Sequence, residues 1–226
     1  MGRVASDPVD LDAAGRLPDW SRAHIVAHLI GNAEALVNLL TWASTGVETP
    51  MYASPDARGA QIAADATRPE AWLRERLAGS SAELLAKIAT VDEREWSVEV
   101  RTAQGRTVPA SEVPFMRVRE SYIHLVDLAV GFAVADFPAA LVDALLDDVT
   151  AFLGTRPACP TLILQPSDRE RSWQLGPGKG SPWKASPGKG SEVIESPAAA
   201  LLGWLIGRPG WGGGEPRGLP ELPRWL

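Results

Sequence analysis

Cysteine, histidine and tyrosine are among the scarce residues of this chain: its 226 residues include one cysteine, three histidines and two tyrosines. A lone cysteine, Cys159, excludes an internal disulfide. It lies between prolines in Pro157-Ala158-Cys159-Pro160 and reads as a buried small residue rather than a nucleophile. Positive charge is also short. Twenty-two Lys and Arg face 28 Asp and Glu, and the net charge of −6 argues against a nucleic-acid partner, which wants a basic face. No apolar stretch reads as long enough to span a bilayer. The N-terminal MGRVASDPVD lacks the apolar core of a signal peptide. Gly2 and Ser6 satisfy the loose myristoylation pattern, but nothing beside them supports anchoring. A cytoplasmic protein without nucleic-acid or membrane partners is the expectation.

What is present is enough apolar residue for a sizeable core: 45% hydrophobic against 22% charged. From Asp19 to about Ser44 the pattern is helical. Asp19 or Ser21 can cap its start, and Ile25, Leu29, Ala33, Leu36 and Leu40 define a buried stripe. Further helices are predicted over about 54–65, 69–90, 111 onward with Pro114 in the first turn, and 137–153. Residues 91–110 read as a loop or short hairpin. After Arg156 prolines and glycines become frequent, and short strands are predicted at 161–164, 172–175 and 191–195, followed by a helix from Ser196-Pro197 to about Gly207. Pro-Gly-Lys-Gly-Ser occurs at 177–181 and 187–191, but without the spacing or the strand–loop–helix context of a phosphate loop, so a hairpin connection is expected there. The composition change places a boundary near 156: a helical bundle over 1–156 and a small α+β domain over 157–226.

The histidines sit inside the helical segments. Glu120 and His124 are four apart, as are His24 and His28, and that spacing puts each pair on one helix face. Such a pair is often only a surface contact. Here Glu120 and His124 are interleaved with Tyr122, Ile123, Leu125 and Val126, so their face is partly inward, and buried ionisable groups need a partner. A third donor from a facing helix would complete a two-histidine, one-carboxylate metal set with open positions. Of the two earlier histidines, His28 is nearer the apolar stripe. Asp127, one turn after His124, reads equally as an orienting partner for the imidazole or as a solvated helix residue.

Several segments carry a family resemblance. They are Trp20-Ser-Arg-Ala-His24-Ile-Val-Ala-His28, Thr45-Gly-Val-Glu-Thr49-Pro-Met-Tyr52, Thr102-Ala-Gln-Gly-Arg-Thr-Val-Pro-Ala-Ser-Glu112, Arg119-Glu120 with His124, Asp127 and Leu128, and the terminal Pro-Arg-Trp-Leu. With these the chain resembles the mycothiol-dependent maleylpyruvate isomerases of the DinB-like metal-binding bundle superfamily, from about residue 17 to the C-terminus. The resemblance implies an N-terminal DinB-like up-down helical bundle followed by a small α+β C-terminal domain. It implies zinc, or another divalent metal, on His28, Glu120 and His124, and a catalytic Arg208 in the Gly207-Arg208 pair. It further implies mycothiol as thiol cofactor, and cis–trans isomerisation of maleylpyruvate to fumarylpyruvate in gentisate breakdown. Taken alone, Arg208 reads as a cation at a helix C-terminus. The family has a further helix before the tryptophan segment. About twenty poorly periodic residues stand there in this chain, so the first bundle helix is expected to be missing or shortened. Another mycothiol-dependent transferase and a non-catalytic metal-binding regulatory bundle are the alternative readings.

Overall fold

The computed structural model describes residues 9–176, 192–208 and 219–225. The chain divides into two compact units, Met1–Val130 and Gly131–Leu226.

The first unit is helical. Its elements are α1 (Arg22–Thr45), α2 (Pro55–Ala66), α3 (Glu70–Thr90), a hairpin of β1 (Glu99–Arg101) and β2 (Thr107–Pro109), and α4 (Val113–Asp127). Local signals set the ends. The Ser21 backbone N–H donates to His24 Nδ1 at 3.3 Å, and the Ser21 hydroxyl lies 2.9 Å from the same nitrogen, so the imidazole caps the start of α1. Gly46, with φ +71°, closes α1 by a left-handed turn in which its N–H reaches the Trp42 carbonyl at 2.8 Å. The Ser54 hydroxyl accepts from Ala57 N–H at 3.0 Å, ahead of Pro55 in the first turn of α2. In the hairpin Val100 pairs with Val108, and both face inward.

α1 is the axis of this unit and packs against α2, α3 and α4. The predicted stripe of Ile25, Leu29, Ala33, Leu36 and Leu40 is fully buried. Burial runs wider than one stripe, because Val26, Ile30 and Leu39 are also covered by the surrounding helices. One end of the core joins Leu36, Leu39 and Leu40 to Leu84, Val100 and Met116. The other joins Ile25, Leu29 and Ile30 to Leu73, Leu77 and Leu128. α1 also corrects an expectation about membranes. By length and composition it could cross a membrane, yet most of it is buried inside the protein. Its apolarity serves the core. Among the described residues, 9–21 hold no helix; residues 1–8, with Gly2 and Ser6, lie outside them.

The second unit holds α5 (Ala139–Leu153), a three-stranded sheet and α6 (Ala198–Leu205). Strand β3 (Leu162–Pro166) lies centrally, antiparallel to β4 (Trp173–Leu175) and parallel to β5 (Glu192–Ser196). α5 packs on β4 and α6. The Asp168 carboxylate accepts the Ala198 N–H at 2.8 Å and so caps α6. Cys159 is buried, and burial pushes its thiol pKa up. The division between the units falls at 130/131, ahead of the compositional boundary at 156. α5 looks like a further bundle helix in sequence, yet its apolar face packs on the sheet unit. The proline-rich stretch after Arg156 marks a change of secondary structure within that unit. Both Pro-Gly-Lys-Gly-Ser repeats fall outside the described residues.

Candidate metal centre

His28 projects from the second turn of α1 and is 5% exposed. Glu120 and His124 project from one face of α4, which packs directly on α1. The helices bring the three side chains together. His28 Nε2 lies 3.0 Å from Glu120 Oε2, and His124 Nε2 lies 3.4 Å from the same oxygen. One ligand atom from each residue lies within 4.8 Å of the others. The two imidazoles meet edge to face at 4.6 Å between ring centroids. His24 is not part of the cluster: its Nδ1 is engaged at the start of α1. Asp127 is fully buried, and its Oδ2 lies 2.9 Å from His124 Nδ1, leaving Nε2 of that ring toward Glu120.

Burial and pairing set the charge states. Burial lowers the His28 pKa to about 4, more than the hydrogen bond to Glu120 can restore, so this imidazole is neutral at pH 7. Burial alone would raise Glu120, but its hydrogen bonds with His124 and His28 outweigh that and hold the carboxyl well below its usual range. For His124 burial acts downward, and the contacts to Asp127 and Glu120 overcome it and raise the pKa. The donor chemistry suits a divalent cation: a neutral imidazole, an ionised carboxylate, and a second imidazole oriented by a buried carboxylate.

Three neighbours escaped the sequence reading. Arg58, on α2, places Nη2 3.0 Å from His28 Nδ1 and its guanidinium 5.5 Å from the centre of the Tyr52 ring. Tyr52 closes the Thr45–Tyr52 segment of the family resemblance but carried no role there. Arg117 donates to Leu29 O and Asn32 Oδ1, both at 2.8 Å, which ties α4 to α1 one turn from the donors. Burial lowers its pKa to about 10. The spacing of Arg117 to Glu120, three residues on one helix face, is the signal that could have found it. Arg58 has no such local signal. Beside His28 a cavity of about 210 Å³ opens between α1 and α2, lined among others by Glu34, Asn38, Tyr52, Arg58 and Gln61.

Arg208 lies in the second unit, after α6. Gly207 adopts φ +67°, and the Arg208 N–H reaches back to the Gly203 carbonyl at 2.8 Å. The left-handed turn is what requires glycine before this arginine. The Arg208 side chain donates to the Ile206 carbonyl at 2.6 Å.

Two family models match: the mycothiol maleylpyruvate isomerase N-terminal domain over residues 3–129 and the C-terminal domain of the same group over 136–220. The chain is similar to a crystal structure of the mycothiol-dependent maleylpyruvate isomerase, with a TM-score of 0.85 and 36% identity over 99% of this chain and 90% of that one. A histidine-to-alanine mutant of that isomerase matches at a TM-score of 0.84, with the same identity and coverage. No curated protein sequence gives a significant match.

Proposed function

The chain belongs to the mycothiol maleylpyruvate isomerase family, and from that membership we propose that it isomerises maleylpyruvate to fumarylpyruvate with mycothiol as its thiol, at the site built by His28, Glu120 and His124. The observation that carries this reading is the convergence of those three side chains from α1 and α4, with ligand atoms within 4.8 Å of one another.

The chemistry needs a nucleophile, because a carbon–carbon double bond does not rotate. A thiolate adds to the alkene, and the electron pair passes into the conjugated carbonyl as an enolate. Rotation follows about what is now a single bond. The pair then returns and the thiolate leaves with its own electrons, so nothing is consumed. Cys159 is unsuited to be that nucleophile, being buried in the second unit with a raised thiol pKa. An external thiol therefore supplies the sulfur. Held by His28, Glu120 and His124, Zn2+ or another divalent cation would supply the positive charge that lowers a thiol pKa toward neutrality.

The protein's own groups do the rest. Glu120 stays ionised and His28 neutral, so both offer lone pairs at pH 7. Asp127 orients His124 by accepting at Nδ1. Three protein donors leave coordination positions open to other molecules. On the strength of the Gly207-Arg208 pair, Arg208 takes the role of binding a substrate carboxylate or the developing enolate. The reaction belongs to gentisate breakdown in the cytoplasm on this reading.

An absorbance assay of maleylpyruvate with and without mycothiol, on protein of known metal content, tests it. Thiol-dependent conversion to fumarylpyruvate is the expected result. Absence of conversion would hand the site to a different mycothiol-dependent transferase or to a non-catalytic metal-binding bundle.

A further inference from the structure

Arg58 is a half-buried guanidinium at the edge of the donor set, and its surroundings are unusual for a cation. Among the described residues no carboxylate pairs with it. Glu34 lines the same cavity, but its carboxylate is bound to Arg76. Arg58 instead spends an N–H on an imidazole, with Nη2 3.0 Å from His28 Nδ1. The direction of that bond is fixed. A guanidinium only donates, so Nδ1 lends its lone pair and the proton of the neutral ring sits on Nε2, donated to Glu120 Oε2 at 3.0 Å.

We propose that the cavity beside His28 is a carboxylate-binding subsite whose cation is Arg58, coupled to the donor set through Nδ1 of His28. The identity of the acid, a substrate with two carboxylates, rests on the isomerase reading above. A neutral imidazole offers a lone pair from one nitrogen only. When Nε2 gives its pair to a cation beside Glu120 and His124, the ring proton resides on Nδ1 and points at the N–H of Arg58. Two donors face each other, and the guanidinium gives up the contact. Tyr52, over whose ring it already lies, and the open cavity give it a place to go. There it can grip a carboxylate through two parallel N–H bonds. With about 210 Å³ the cavity holds a small acid and is too small for a drug-sized molecule. Arg58 thus has two alternative partners, the ring nitrogen and the carboxylate, and loading of the donor set chooses between them.

Maleate, a small cis-dicarboxylate, is the probe. Its binding to the full chain is measured by calorimetry with zinc bound and after chelation, in wild type, Arg58→Met and Arg58→Lys. Zinc-loaded wild type should bind maleate. Arg58→Met should bind it roughly ten- to a hundredfold more weakly, and Arg58→Lys should recover part of the loss. Zinc affinity by chelator competition should be undiminished in Arg58→Met, because a competitor for the imidazole has been removed. Zinc and maleate should strengthen each other's binding by one common factor in wild type, and that factor should vanish in Arg58→Met. In turnover, Arg58→Met should raise KM more than it lowers kcat. Unchanged maleate affinity in Arg58→Met overturns the subsite. Loss of zinc from Arg58→Met also overturns it, since Arg58 would then be only a prop for His28. If maleate binding depends on Arg58 but wild type does not turn over maleylpyruvate, the subsite stands and the substrate assignment fails.

Discussion

Glu120→Gln isolates the charge at the centre of the donor set, because the amide keeps the volume and one acceptor oxygen. The carboxylate Oε2 lies 3.4 Å from His124 Nε2, where an effective dielectric of about 20 gives an attraction near 5 kcal/mol for a protonated ring. Desolvation of the buried carboxylate returns several kcal/mol of that. The hydrogen bond with His28 at 3.0 Å survives in weaker, neutral form. The net expectation is a loss of about 1–3 kcal/mol in chelator-treated protein at pH 7, or about 2–12 °C in Tm for a chain of this size. The pH dependence gives a second check. Glu120 titrates well below its ordinary value of 4.5 in the folded protein, so its contribution is complete above that pH and is lost as pH falls through the folded value. The gap between wild type and variant should therefore hold steady from pH 7 to about 4.5 and close below it. Metal supplies the third check. At a hundred times its Kd a divalent cation should raise wild-type stability by about 2.7 kcal/mol, and the variant by much less. Denaturant titrations with and without zinc measure all three quantities. A variant equal to wild type both in chelator and in zinc would refute the assignment of Glu120 to the site.

His28→Ala and His124→Ala should each abolish bound zinc and activity, as read by metal analysis and the maleylpyruvate assay; full zinc occupancy in both would sink the ligand assignment. Arg208→Lys should keep zinc but lose turnover, because lysine lacks the planar fork, and an unchanged kcat removes Arg208 from the mechanism. Asp127→Asn should weaken zinc binding about 10- to 100-fold by freeing the His124 ring, which chelator competition would detect. In chelator-treated protein the His28 ring should titrate near pH 4 by NMR. Its folded pKa lies below the unfolded 6.5, so the unfolded chain binds the proton first and stability falls as pH drops from 6.5 toward 4. A midpoint near 6.5 would contradict the burial of this ring.

The helices and the pairing of Glu120 with His124 were largely legible because both rest on local periodicity. Spacing of four placed Glu120 and His124 on one face, and proximity to the apolar stripe separated His28 from His24. The structure gives the physical content of that choice: His24 is spent on the Ser21 cap, while His28 is buried one turn further in. Asp127, ambiguous in sequence, is fully buried against His124. What was not legible depends on which elements meet. Arg58 and His28 are 30 residues apart, and no periodicity links α2 to the inner face of α1. The unit boundary was misplaced for the same reason. The apolar pattern of α5 says that it is covered, and does not say by what.

The donor set also joins distant parts of the chain: His28 and Glu120 are 92 residues apart in sequence. Closing so long a loop is entropically slow compared with forming each helix, so the site should assemble late in folding. During synthesis it does not exist until α4 has emerged from the ribosome and docked on α1. A cation bound afterwards would clasp α1 to α4. Its contacts would be absent from an early transition state, so it would retard unfolding far more than it hastened folding. Occupancy of the centre would then set the lifetime of the folded bundle as well as its chemistry.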